Sequence, residues 1–268
     1  MYKAIFIDID GTLRKNNNKI SERTILAIKQ VIKKGILVIL CSGRPRAYVE
    51  AISRECNASR YIITSNGGII FDYEENKIIH KSIIEKQACI ELFKISEQFN
   101  TIFIMDTEEI QVANKLEKYD LSREILDTDI ERFTNEKNIL LCTIKDENSE
   151  KMIKIRKKIE EIENVEIKQE IKSLGDNNTS GREEIYFFIG NTELCKGNAI
   201  EKICKILEID LNDTIAIGDD FNDISMFKVV GYSVVMENAT DEVKKYADEI
   251  TLSNEDDGVA VFLEKLLI

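Results

Sequence analysis

Tryptophan is absent from the 268 residues, and proline and histidine occur once each. With 43% hydrophobic and 32% charged residues, so proline-poor a chain is not collagen-like, mucin-like or broadly disordered, and reads as ordered and globular. His80, the only histidine, would have to serve any Ser-His-Asp or Cys-His centre; beside Ile78 and Ile79 it reads as structural. The six cysteines, Cys41, Cys56, Cys89, Cys142, Cys195 and Cys204, include no C-x-x-C pair, which argues against a zinc knuckle and a disulfide framework. They are expected to be small buried apolar groups in a reducing compartment. The short apolar run within Met1 to Ile7 meets Asp8 too soon for a signal-peptide core, and no run approaches about 18 apolar residues. A soluble cytoplasmic protein without a membrane partner is expected.

Basic charge is also scarce, with 37 Lys and Arg against 49 Asp and Glu and a net charge of −12. Nucleic-acid affinity rests on clustered cations, so a phosphate-backbone binder is disfavoured, while a small anionic substrate stays possible beside a local cation. Residues 1–80 sum to about +5, residues 81–187 to about −7 and residues 188–268 to about −10, so the two ends are oppositely biased.

Strand, polar turn and helix recur along the chain. Residues 3–9 form a buried strand that runs into Asp10-Gly11-Thr12, and a helix follows from an N-cap at Ser21 to Lys34. Residues 35–40 repeat the strand, Ser42-Gly43-Arg44 the turn, and residues 46–55 the helix. A third strand over 61–64 leads to Ser65-Asn66-Gly67-Gly68 and a hairpin over 69–71 and 77–79. The grammar returns with a helix over 196–207, a strand over 214–217, a polar turn over 218–223, a helix to about 229 and short strands over 232–236 and 249–252. Between them the pattern is that of an α+β unit: helices over 84–99, 116–126 and 149–162, strands over 101–105, 110–113, 139–144, 165–169 and 185–189, and a polar loop over 175–181. The expected architecture is α/β, a Rossmann-like parallel sheet core of residues 1–82 and 189–268, with residues 83–188 inserted as an α+β cap domain.

Three polar clusters fall at three strand ends: Asp8-Ile9-Asp10-Gly11-Thr12, Ser42-Gly43-Arg44 and Gly218-Asp219-Asp220-Phe221-Asn222-Asp223. In one parallel sheet these ends share a rim. Carboxylates about 4 Å apart repel by roughly 4 kcal/mol at an effective dielectric of about 20, so the cluster calls for a cation, and oxygen ligands select Mg²⁺.

In order and spacing, Asp8-x-Asp10-Gly11-Thr12-Leu13, Ser42-Gly43-Arg44-Pro45, Lys196-Gly197 and Gly218-Asp219-x-x-Asn222-Asp223 resemble the haloacid dehalogenase superfamily of phosphohydrolases, with the Cof-like subgroup and its type B C2 cap as nearest likeness. The tail, from Gly231 to Ala239 and from Ser253 to Ala260, resembles that subgroup's C-terminal pattern. The resemblance implies that Asp8 is a nucleophile forming an aspartyl-phosphate, and that Asp10 protonates the leaving oxygen and later takes a proton from water. It makes Lys196 a fixed positive charge beside Asp8, Asp219 a direct ligand with Asp8 and the backbone carbonyl of Asp10, and Asp223 the holder of a metal-bound water. Ser42 and Gly43, Asn66 and Gly67, and Asn222 fall to substrate binding, Asp220 to solvent, and Arg44 to a surface or capping ion pair. Phe188, Asn191 and Glu237 depart from the subgroup's pattern.

The implied activity is Mg²⁺-dependent hydrolysis of small phosphomonoesters, sugar phosphates foremost, with no nucleic-acid or obligate protein partner. Rival readings are a phosphotransferase or phosphosugar mutase, which passes the phosphoryl group to a second hydroxyl, and a receiver-like signalling module without turnover. A dinucleotide-binding protein is disfavoured because no Gly-x-Gly-x-x-Gly follows a strand.

Overall fold

The computed structural model describes residues 2–108, 110–115, 124–173 and 183–268. In chain order the first elements are β1 (Ala4–Ile7), α1 (Glu22–Lys33), β2 (Leu37–Cys41), α2 (Arg46–Glu55), β3 (Tyr61–Thr64), β4 (Ile69–Asp72) and β5 (Lys77–Lys81). There follow α3 (Lys86–Phe99), β6 (Ile102–Asp106), β7 (Gln111–Ala113), β8 (Glu124–Ile125), α4 (Ile130–Glu136), β9 (Leu141–Asp146), α5 (Ser149–Ile159), β10 (Val165–Ser173) and β11 (Glu184–Asn191). The chain ends with α6 (Lys196–Ile206), β12 (Thr214–Gly218), α7 (Ile224–Phe227), β13 (Tyr232–Val235), α8 (Asp241–Lys244), β14 (Glu249–Ile250) and α9 (Gly258–Lys265).

Two compact units result, one of residues Met1–Lys81 and Cys195–Ile268, the other of Ser82–Leu194. The first is an α/β unit whose eight-stranded sheet runs β14-β13-β12-β1-β2-β3-β4-β5. Its strands are parallel from β14 to β3, and the hairpin β4–β5 closes the edge antiparallel. Ala4, Ile5, Phe6 and Ile7 are fully buried because helices cover both sides of β1, each large side chain contributing about 1.5–3 kcal/mol by leaving water. The spacing of Ile25, Ile28 and Ile32 points to a helix, and α1 buries Ala27, Ile28 and Val31 while the Ser21 hydroxyl accepts from the Thr24 N–H at 3.1 Å. Beneath α6, Ala199, Ile200, Ile203 and Cys204 pack on Phe6, Ile39 and Ala216.

The chain winds outward from β1 through β2 and β3 on one side and from β12 through β13 and β14 on the other, so the order reverses between β1 and β12. The register Ile7↔Ile217 and Ile7↔Leu40 sets the residues after these three strands level with one another. Such a switch point leaves a crevice at the carboxyl ends of the strands.

The second unit is a six-stranded sheet, β10-β11-β9-β6-β7-β8, antiparallel except for β7 and β8. Phe103, Met105, Cys142, Ile144, Phe187 and Ile189 alternate onto one face and pack with Leu92 and Ile155 of its helices. The unit keeps β11 whole, whereas a boundary at residue 189 cuts that strand.

Other boundaries differ for identifiable reasons. α3 begins at Lys86 rather than Ile84, because Ile84 bridges to Ile139. β10 runs on to Ser173, past 169, because its ladder with β11 extends to the pair Ser173↔Glu184. Of the helix expected over 116–126, residues 116–123 lie outside the described ones, and Glu124–Ile125 is a strand paired with β7. The loop expected over 175–181 also lies outside the described residues. The sequence pattern does not mark helices α4, α8 and α9. Five cysteines are buried and Cys195 is half-buried; all are free thiols. His80 sits 3.1 Å from the Lys202 ammonium. Among the described residues no helix is long and apolar enough to cross a membrane.

Candidate active site

Asp8 leaves β1 with its N–H donating to the Ile217 carbonyl at 3.0 Å, which ties the start of the acidic turn to the neighbouring strand β12. Lys196 opens α6 and is fully buried, its ammonium donating to Asp8 Oδ1 at 2.5 Å and to Asp223 Oδ1 at 2.6 Å. The other Asp223 oxygen accepts from the backbone N–H groups of Asp219 and Asp220 at 2.9 and 3.0 Å, so the turn after β12 is wound around this one carboxylate. Asp219 Oδ1 accepts from the Thr12 hydroxyl at 2.6 Å, which closes the ring of contacts between the two turns.

Backbone shape makes this convergence possible. Gly11 has φ +82°, and a Cβ there would lie 2.2 Å from Asp219 Oδ2. Gly67, with φ +96°, is buried, and a Cβ on it would lie 2.3 Å from the Cys195 carbonyl oxygen. Its missing side chain therefore admits the start of α6, which carries Lys196.

Electrostatics follow from burial. Desolvation pushes the Asp8 carboxyl well above the usual range, against the pull of Lys196 and with the push of Asp223. Burial raises Asp219 to about 6, opposed by the Thr12 hydroxyl and reinforced by Asp223 and Asp220. At Lys196 burial disfavours the ammonium, but the carboxylates of Asp223 and Asp8 outweigh it and raise the group, so it stays charged.

Asp8, Asp219 and Asp223 each offer one carboxylate oxygen, all within 4.8 Å of one another. Three carboxylates against one ammonium leave an excess of negative charge that a divalent cation would neutralise. The donors are oxygen alone, and the glycine at position 11 keeps the inner side of Asp219 clear, so the residues present fit a hard divalent ion.

The remaining candidates line the rim. Asp10 is outside the carboxylate cluster; its side chain, 41% exposed, is held by a fork from Arg44, Nε to Oδ2 at 2.9 Å and Nη2 to Oδ1 at 3.2 Å. The Ser42 hydroxyl accepts from the Arg44 N–H at 3.2 Å and keeps its own O–H to donate. Gly43 is exposed, with Asn66 beside it. Asn66, at φ 56°, donates its N–H to the Ser42 carbonyl at 3.1 Å and accepts from the Asn222 amide at 3.0 Å, so the turns after β2, β3 and β12 are linked. Asp220 is exposed, and its side chain caps the Phe221 N–H at 2.8 Å.

Sequence reasoning assigned no part to Thr12, Asn238, Asn254 or Tyr48. The Asn238 amide donates to the Gly11 carbonyl at 2.9 Å and accepts from the Asn254 N–H at 3.0 Å, while the Asn254 amide donates to the Arg14 carbonyl at 2.9 Å. The C-terminal segment thus braces the acidic turn. The available signals were the motif that contains Thr12 and the two tail stretches, Gly231 to Ala239 and Ser253 to Ala260, that contain Asn238 and Asn254; Tyr48 had none.

A family model of haloacid dehalogenase-like hydrolases matches residues 5–263. The chain is 29% identical over 287 residues to 5-amino-6-(5-phospho-D-ribitylamino)uracil phosphatase YwtE of Bacillus subtilis, covering 99% of this chain and 98% of the relative. Phosphatase YwpJ of the same bacterium is 26% identical over 290 residues, covering 99% and 100%. Among solved structures, the phosphatase BT1666 of Bacteroides thetaiotaomicron matches with TM-score 0.81 at 20% identity, over 100% of this chain and 96% of that one. The HAD subclass IIB sugar phosphatase BT4131 matches with TM-score 0.75 at 24% identity, over 99% and 100%. The structural likenesses bear on the fold.

Proposed function

The chain belongs to the haloacid dehalogenase-like hydrolases, and on that premise we propose that it is a Mg²⁺-dependent phosphatase of small phosphomonoesters, sugar phosphates foremost, working through an aspartyl-phosphate. The observation that carries the reading is the buried Lys196 ammonium bridging Asp8 and Asp223, with Asp219 beside them at the switch point of the sheet. The names of the two Bacillus relatives and of the sugar phosphatase support a phosphate ester as substrate.

In this reading a carboxylate oxygen of Asp8 attacks phosphorus while the bond to the leaving oxygen breaks, and the Asp10 carboxyl gives that oxygen its proton. Water then attacks the phosphoryl group, Asp10 takes the proton released, and Asp8 leaves as a free carboxylate with inorganic phosphate. Lys196 fixes the orientation of Asp8 and lends positive charge to the transferring group. The Ser42 hydroxyl, the backbone of Gly43 and the amides of Asn66 and Asn222 are disposed around the same rim and would hold the phosphoryl oxygens and the alcohol. Asp8, Asp219 and the backbone carbonyl of Asp10, with Asp223 behind them, would hold Mg²⁺, which when bound offsets the negative charge of the phosphate. The inserted unit serves as a cap domain that limits substrates to small molecules.

Phosphate release over a panel of sugar, nucleotide, flavin and pyridoxal phosphates tests the reading. Turnover with Mg²⁺ is expected for at least one sugar phosphate, falling to background in Asp8→Asn. Release from no phosphomonoester, or undiminished turnover in that variant, would overturn it.

A further inference from the structure

Asp10 is the one acidic residue of the turn that stands apart from the carboxylate cluster, and something other than the cluster must aim it. Both of its oxygens accept from Arg44. Arg44 is itself held at three points: its N–H donates to the Ser42 hydroxyl at 3.2 Å, its carbonyl accepts from the Ser65 N–H at 3.0 Å, and its guanidinium lies 5.4 Å from the centre of the Tyr48 ring. The same ring carries Arg14 at 5.6 Å, and Arg14 donates to the Tyr48 hydroxyl and to the Asn18 carbonyl. The Arg14 N–H donates to the Ile9 carbonyl at 3.0 Å, which returns the chain of contacts to the turn that bears Asp10. Arginine forks bind a carboxylate in one plane, and stacking on a ring fixes the plane of the fork.

We propose that Arg44 is the positioning residue for the leaving-group acid, holding the plane of the Asp10 carboxyl toward the leaving oxygen, and that Tyr48 is the platform that holds Arg44. The inference rests on the phosphatase reading above. The ion pair is exposed on both sides, Arg44 by 56% and Asp10 by 41%, so its worth to the fold is small and its effect lies in geometry. In the step concerned, the bond from the Asp8 oxygen to phosphorus forms, the bond from phosphorus to the leaving oxygen breaks with its electron pair on that oxygen, and the proton of Asp10 passes to it.

The need for that proton depends on the leaving group. An alkoxide leaves poorly without it, while nitrophenolate leaves as the anion. The test compares kcat/KM for β-glycerol phosphate and for p-nitrophenyl phosphate. Arg44→Ala and Arg44→Lys are expected to lower the first by about 100-fold and the second by less than about threefold, since misplacing a general acid forfeits part of its rate factor. Lys keeps the charge and loses the fork, so its failure to rescue separates geometry from charge. Should Arg44→Ala fold poorly, Arg44→Lys with an unchanged melting temperature carries the comparison. In an Asp10→Asn background Arg44→Ala is expected to add no further loss on glycerol phosphate, because the two residues act as a unit.

Equal losses on both esters would make Arg44 a phosphate-binding group and overturn the inference. A further tenfold loss in the Asp10→Asn background would also overturn it, as would a wild-type enzyme that hydrolyses the aryl ester alone. A wild type inactive on every ester sinks the phosphatase reading itself, a distinguishable outcome.

Discussion

Asp219 shows at the scale of one residue what burial does to a carboxylate beside others. Burial, with Asp223 and Asp220 nearby, lifts it from the ordinary 3.8 to about 6, so the folded state holds its proton more tightly than the unfolded chain. Between about pH 4 and pH 6 the folded protein therefore binds the extra proton, and stability falls as pH rises through that window. Without divalent ions, the melting temperature of Asp219→Asn relative to wild type should accordingly climb from pH 4 to pH 7, as followed by circular dichroism in EDTA. A difference that stays flat with pH would show that Asp219 ionises freely. Asp8, Asp10, Asp219 and Asp223 were legible as chemistry because each lies in a polar turn that follows a buried strand, whereas Lys196, which opens a helix, was legible only through the family resemblance. Tyr48 and Thr12 were not. The partner of Thr12, Asp219, lies 207 positions away and leaves no trace in local pattern, and the four-residue spacing of Arg44 and Tyr48 does not by itself show that one supports the other.

At the scale of elements, the turn after β1 is as consequential as the strand. A Cβ at position 11 would meet Asp219 Oδ2 at 2.2 Å on a backbone of φ +82°. Gly11→Ala should therefore cost about 1–2 kcal/mol in strain and also displace Asp219. The expected result is a modest drop in melting temperature and at least a tenfold higher Mg²⁺ concentration for half-maximal activity, measured by denaturation and by metal titration. An unchanged metal requirement would show that Asp219 yields without consequence. Helix α9 was missed for a related reason. Val259, Ala260, Val261, Phe262 and Leu263 form an apolar run with no side-chain cap, since Asp257 at its start makes no capping bond. Tertiary contact settles the matter: Val259, Ala260, Phe262 and Leu263 are buried, Phe262 stacks on Tyr232 of β13, and α9 lies against α1 with Arg23 paired to Glu264 at 2.6 Å.

At the scale of the whole molecule, the first unit is assembled from residues 1–81 and 195–268, and the carboxylate cluster draws on both segments. An ion bound there by the folded state alone stabilises it by about 2.7 kcal/mol at 100 times its dissociation constant. Mg²⁺ should therefore raise the melting temperature in a saturable way, read by thermal denaturation, and Asp8→Asn or Asp219→Asn should blunt the rise. A shift matched by Na⁺ at equal ionic strength would reduce the effect to screening.

The sequence by itself determined the alternation of buried strand, polar turn and helix, and with it the places where reactive side chains could stand, because burial and turn chemistry are written in neighbouring residues. Only the tertiary structure decided that β1 lies between β12 and β2, that Lys196 reaches two carboxylates and that Arg44 grips Asp10. Those facts join distant residues, 27 positions apart for Lys196 and Asp223, 34 for Asp10 and Arg44 and 188 for Lys196 and Asp8, and a window of sequence registers periodicity but not which distant side chain will fill the space beside it.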